Sequence, residues 1–134
     1  MSKYSTIELW NKCFGKQEDI CDYTGRLMKK SACGNPNSKY QPTLDHIRPL
    51  SKGGSDVLEN IIICHRDTNE EKGDKFPAWK ANGKRYHAVR VKGSRTAYKI
   101  VEDSDTLFYF FKKNWNKPLK KETVYPYTLY MYIH

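Results

Sequence analysis

Between Thr43 and Pro77, two short apolar runs, a glycine-turned loop and one helix-sized segment follow one another closely. Thr43-Leu44-Asp45-His46-Ile47 reads as a short strand stopped by Pro49. Ser51-Lys52-Gly53-Gly54-Ser55-Asp56 reads as a loop whose glycines permit positive φ. Glu59 to Cys64 reads as a second strand built on Ile61, Ile62 and Ile63, and His65 to Lys72 favours a helix that Gly73 can end. Asn69 and Lys72, three residues apart, fall on one face of that helix. The succession predicts a ββα unit with Asp45 and His46 between hairpin and helix.

On either side the signals are simpler. Residues 5–15 predict an amphipathic helix, with Ser5 or Thr6 as cap, Glu8 in the first turn and Gly15 at the end. Ile20 to Met28 predicts a hairpin turning at Thr24-Gly25, and residues 30–42 read as loop. Asn82-Gly83 is a strong turn signal between Trp79 and the alternating Tyr86-His87-Ala88-Val89-Arg90-Val91. Gly93-Ser94 makes a further turn before Ala97 to Val101, so a small sheet is expected there. Residues 106–115 fit helix or strand equally, and Val124 to Ile133 reads as a strand. His87, in an alternating pattern, reads as a surface residue, and Glu70-Glu71 as a solvated helix face.

Charge bears on the partner. The chain has 134 residues and a net charge of +9. Residues 1–79 are nearly neutral, with 12 basic and 11 acidic side chains, whereas residues 80–134 carry 12 basic and 4 acidic ones. A basic excess favours a polyanion such as nucleic acid. Lys112, Lys113, Lys117, Lys120 and Lys121 stand among Phe108, Tyr109, Phe110, Phe111 and Trp115, a pattern suited to gripping phosphates without reading sequence. No apolar run is long enough to span a membrane, and Met1-Ser2-Lys3-Tyr4 opens no secretory signal. Four cysteines without a C-x-x-C pair fit reduced thiols, and a cytoplasmic location is expected.

The chemistry-bearing residues are few. Asp45 is a hard oxygen donor and Asn69 a neutral one, a pair suited to a cation that keeps most of its water, as Mg²⁺ does. His46 can take a proton from water near neutral pH. Phosphodiester cleavage needs both a base for the water and a cation for the leaving oxygen.

Taken in order, Asp45-His46, Pro49-x-Ser51-x-Gly53-Gly54, Asn60 and Asn69-x-x-Lys72-Gly73 resemble the HNH nuclease family. The ending Asn69, Lys72, Asp74, Pro77 is similar to the HNH domain of RNA-guided type II CRISPR effectors. The resemblance implies an α+β chain with a ββα-metal (His-Me finger, HNH) core at about residues 18–79. Residues 1–79, including the N-terminal helix, would form the nuclease domain, and residues 80–134 a basic β-rich extension packed on or beside it. It implies that Asp45 and Asn69 hold Mg²⁺ or Mn²⁺, that His46 is the general base, that Asn60 pins the loop, and that Lys72 meets the scissile phosphate. Arg48, Lys52 and Lys75 would join the five extension lysines in holding DNA, and the products would carry a 5′-phosphate and a 3′-hydroxyl.

Many HNH proteins also brace this unit with zinc held by two C-x-x-C knuckles. Here Thr24 stands at one such Cys position, His65 and Thr68 at two others, and only Cys21 and His65 could ligate. Structural zinc is therefore not expected, and apolar packing of the hairpin is expected in its place. The reading is thus a metal-dependent DNA endonuclease of a bacterium or phage, with the tyrosine-rich C-terminal strand available as a homodimer interface. Its alternatives are a non-catalytic nucleic-acid-binding module and a defence-related protein acting on a protein partner.

Overall fold

The computed structural model describes residues 2–103. They form two helices and small antiparallel sheets, an α+β arrangement. Helix α1 (Thr6–Phe14) starts where Ser5 Oγ accepts a hydrogen bond from Glu8 N (3.2 Å), satisfying one of the donors that a helix start leaves free. Strands β1 (Asp19–Cys21) and β2 (Leu27–Lys29) pair antiparallel, with Ile20 opposite Met28. Strands β3 (Pro42–His46) and β4 (Ile61–His65) form a second antiparallel pair, in which Asp45 faces Ile62 and His46 faces Ile61. Helix α2 (Arg66–Lys72) follows at once, capped by the His65 ring, whose Nδ1 accepts from Asp67 N (2.9 Å). Strands β5 (Ala78–Ala81), β6 (Lys84–Arg90) and β7 (Tyr98–Glu102) make a three-stranded sheet in chain order. The β5–β6 turn places Asn82 at φ 49° and Gly83 at φ 74°, which Asn-Gly accommodates better than other pairs.

Strand β4 is buried along its whole length because it is covered on both faces. Alternate side chains point to opposite sides of a strand. Ile61 and Ile63 join Leu9, Trp10 and Phe14 of α1 and Met28 of β2. Ile62 and Cys64 point the other way, into a cluster with Tyr23, Ile47, Trp79, Ala81, Tyr86, Tyr98 and Ile100. Each fully buried isoleucine is worth about 1.5–3 kcal/mol of transfer free energy. In the second cluster the Tyr23 ring meets Tyr86 edge-on at 5.0 Å, and Trp79 Nε1 donates to Tyr23 Oη (3.0 Å). The three-stranded sheet thus shares a core with the strand pair that carries Asp45 and His46.

Two boundaries differ from the sequence reading. Strand β4 begins at Ile61 and not Glu59, because Leu58–Asn60 form a 3-10 turn. Strand β3 begins at Pro42, and a first strand residue tolerates proline's missing N–H. The expectations for residues 106–115 and 124–133 lie outside the described residues, as do Lys112, Lys113, Lys117, Lys120 and Lys121.

Candidate active site

Asp45 and His46 end β3, in the strand pair against which α2 packs. Asn69 and Lys72 both turn toward β3. Asn69 Nδ2 donates to Thr43 Oγ1 (3.0 Å) and to the Leu44 carbonyl (3.2 Å), and one turn later Lys72 Nζ donates to the His46 carbonyl (3.1 Å). Lys72 Nζ also lies 3.1 Å from Asp45 Oδ2 and 5.1 Å from the centre of the Trp79 ring. The Lys72 side chain has no exposed surface. Here the position departs from the expectation that Lys72 meets the scissile phosphate: Trp79 and the strand pair enclose its ammonium, so it faces Asp45 and not solvent. Burial raises the Asp45 carboxyl above its usual range, and the Lys72 and His46 charges offset part of that rise.

Lys72 Nζ is the one partner of the buried Asp45 Oδ2 among the described residues. Asn69 Oδ1 accepts no hydrogen bond from them. A carboxylate and an amide oxygen, each with acceptor capacity left over, fit the chemistry of a hard divalent cation that keeps several waters. No cluster of three or more His, Cys, Asp or Glu side chains suited to a metal occurs among the described residues.

His46 is held by a residue that the sequence reading did not single out. Its Nε2 lies 2.8 Å from Asp56 Oδ1. Asp56 also accepts from Ser2 Oγ (2.8 Å) and, through Oδ2, from Lys3 N (2.8 Å). Desolvation pushes the Asp56 carboxyl up, but hydrogen bonds from Lys3 N, His46 and Ser2 outweigh it and hold the group down at about 2. Only the position of Asp56 just after the glycine pair hinted at it, and the contact with Ser2, 54 residues away, left no local signal.

Asn60, fully buried, ties the loop after His46 to itself. Its Oδ1 accepts from Arg48 N (2.9 Å), and its Nδ2 donates to the carbonyls of Arg48 (3.0 Å) and Ser55 (2.8 Å). Gly54 sits so near this backbone that a Cβ there would fall 1.8 Å from the Arg48 carbonyl oxygen. Arg48 is half-buried, whereas Lys52 and Lys75 are exposed.

Where zinc knuckles would stand, a buried carboxylate gathers the donors. Asp22 Oδ1 accepts from Thr24 N (2.9 Å), Thr24 Oγ1 (2.7 Å) and Arg26 N (3.0 Å), and its Oδ2 accepts from His65 N (3.0 Å) and Thr68 Oγ1 (2.6 Å). Arg26 Nη1 donates to Thr68 Oγ1 (3.1 Å) and pairs with Glu71. The brace is thus polar, which corrects the expectation of apolar packing: Thr24 and Thr68 carry hydroxyls that would be costly to bury without an acceptor. His65 is committed elsewhere, with Nε2 2.6 Å from the Lys39 carbonyl oxygen. Cys21 is exposed and makes no disulfide. His87, half-buried, lies 2.8 Å from Asp103 through Nδ1.

Comparison points to one class of domain: residues 21–78 match the model of the HNH endonuclease family. Over 71 residues the chain is 32% identical to the CRISPR-associated endonuclease Cas9 1 of Streptococcus thermophilus (strain ATCC BAA-491 / LMD-9). That alignment takes in 53% of this chain and 6% of the relative, so the chain spans only a small part of the relative's length. No solved structure matches the chain with significance. No helix among the described residues is long and apolar enough to cross a membrane.

Proposed function

We propose that this protein is a metal-dependent endonuclease that hydrolyses DNA phosphodiester bonds, with β3, β4 and α2 as a ββα-metal core. The observation that carries the reading is the pair His46–Asp56 beside Asp45, with Asn69 reaching over from α2. Asp56, ionised at neutral pH, accepts the Nε2 proton of His46 and so selects the tautomer whose Nδ1 lone pair is open. Nδ1 takes the proton from an attacking water, whose oxygen bonds to phosphorus as the bond from phosphorus to the 3′ oxygen breaks. Asp45 and Asn69 would hold Mg²⁺ or Mn²⁺, which supplies positive charge to the leaving oxygen. Lys72 keeps Asp45 and the His46 carbonyl in place from beneath, and Asn60 fixes the loop that carries Asp56. Lys52 and Lys75, exposed near this loop and the end of α2, would meet phosphates.

The test is cleavage of supercoiled plasmid in Mg²⁺, in Mn²⁺ and in EDTA, comparing the intact protein with His46→Ala. Metal-dependent nicking that falls by about 10²–10⁴ in the variant is expected. Equal activity in His46→Ala would overturn the assignment of the base, and no cleavage under any metal would overturn the nuclease reading.

A further inference from the structure

Two arginines meet at one phenol beside the loop that follows His46. Arg90 and Tyr98 are direct cross-strand partners in β6 and β7, and Arg48 reaches the same point from the loop. Arg48 Nη1 donates to Tyr98 Oη (3.0 Å), and Arg90 Nη2 donates to the same oxygen (3.3 Å). The Arg48 guanidinium lies 5.4 Å from the centre of the Phe76 ring and gives its Nε proton to the Lys52 carbonyl (2.7 Å). It is therefore stacked and aimed rather than free to swing. Neither arginine has a carboxylate partner among the described residues, which is uncommon for two cations this close.

The donor count sharpens the point. A guanidinium has five N–H donors, so most on Arg48 and Arg90 remain without an acceptor among the described residues. A phenol oxygen that accepts two hydrogen bonds still has its own proton to give. Burial pushes the Tyr98 phenol up, but the bonds from Arg48 and Arg90 outweigh this and leave it below its usual range. The cluster offers donors and positive charge with no matching acceptor, the arrangement that recognises a phosphate.

We infer that Arg48, Arg90 and Tyr98 form a phosphate clamp for the nucleic-acid backbone, holding a phosphate close to the one that is cut. Arg48 is two residues beyond His46, so their Cα atoms are at most about 7 Å apart. The clamp needs β6 and β7, which lie beyond the matched segment 21–78, so it is a feature that this chain adds to the HNH domain. Sequence reading pointed to Arg48 but not to Arg90 or Tyr98, because only the β6–β7 register brings them together. The inference rests on the proposed action on DNA.

The experiment measures binding of a fluorescently labelled DNA duplex in EDTA by anisotropy over a range of chloride concentrations. It uses full-length protein carrying His46→Ala, so that nothing is cut. Adding Arg90→Gln, an exposed position whose loss leaves the core intact, is expected to weaken binding about equally across DNA sequences. It should also lower the slope of log K against log salt by up to about 0.9, the share of one phosphate. Arg48→Gln should do the same, and the two together should not exceed that single share. Arg90→Lys, which keeps the charge and loses the fork, should recover the slope but not all of the affinity. Unchanged affinity and slope in Arg90→Gln, with the parent still binding DNA, would overturn the clamp and leave the nuclease reading standing. No binding by the parent would overturn both. Protection by inorganic phosphate alone, with DNA binding unaffected by Arg90→Gln, would make this a site for free anions and overturn the proposal.

Discussion

His46 and Asp56 stand 2.8 Å apart, Nε2 to Oδ1, across a loop held shut by Asn60. Asp56 is in turn gripped by the start of the chain, through Ser2 Oγ and Lys3 N. The imidazole therefore has one nitrogen fixed and one without a partner among the described residues, and the N-terminal residues take part in fixing it.

Asp56→Asn should lower the cleavage rate more than the apparent substrate affinity, by a part of the ~10²–10⁴ that a positioned base contributes. The same substitution has a signature in acid. The folded value of about 2 lies below the ordinary carboxylate value of ~3.9. The stability that Asp56 contributes is thus complete above ~3.9 and lost as pH falls toward 2. Thermal unfolding followed from pH 6 down to 2, values chosen about the ~3.9 midpoint, should show the gap between the parent and Asp56→Asn closing in that window. A constant gap would mean that Asp56 is not held ionised by these bonds.

Asp22→Ala should be far more damaging than a surface aspartate change. It leaves two hydroxyls and three backbone N–H groups short of an acceptor in the interior. Each orphaned donor costs about 1–3 kcal/mol before relaxation or water relieves it. Urea unfolding should report a loss of several kcal/mol, whereas a zinc-selective chelator, added with Mg²⁺ in excess, should leave the melting temperature of the parent unchanged. A fall in melting temperature under those conditions would show that zinc shares the brace.

Lys72→Met should destabilise the fold by about 3–5 kcal/mol, because it strands the buried Asp45 carboxylate without a cation. Pairing it with Asp45→Asn should recover part of that loss, and a double-mutant cycle in urea measures the coupling. If Lys72→Met lost activity but kept full stability, the lysine would be a substrate contact after all.

Gly54→Ala tests the loop. Its new methyl would sit 1.8 Å from the Arg48 carbonyl oxygen, the acceptor of an Asn60 hydrogen bond, so backbone must move. A cost of about 1–3 kcal/mol is expected from overpacking alone. The cleavage rate should fall further than stability does, since the displaced loop carries Asp56. Melting temperature and nicking rate measured on one preparation separate the two effects.

What could be read from residues, and what could not, divides along a physical line. Helix α1 announced itself through Ser5 and Gly15, and the β5–β6 hairpin through Asn82-Gly83, because caps and turns are written in adjacent positions. The isoleucine run of β4 was legible as a strand, but not the reason it is buried on both faces, which lies in α1 and β6. Asn69 and Lys72 were correctly placed on one helix face, yet the direction of Lys72 depends on Trp79, which closes over it. Asp22 stood in no spacing pattern, since a carboxylate that collects five hydrogen bonds needs no fixed interval between its donors. Asp56 reads only as loop, because Ser2 and Lys3, two of the partners that define its role, lie 54 and 53 residues away.

Trp79 has one more consequence. The segment shared with the HNH family ends at Ala78, just before this ring. Yet Trp79 covers Lys72, donates to Tyr23 and anchors Tyr86. The module that other proteins hold in common is therefore shorter than the piece that has to fold together. A gene fragment trimmed to the shared segment would open one wall of Ile62 and Tyr23 and, without α1, another of Ile61 and Ile63. Any minimal domain cut from this chain has to keep both flanks.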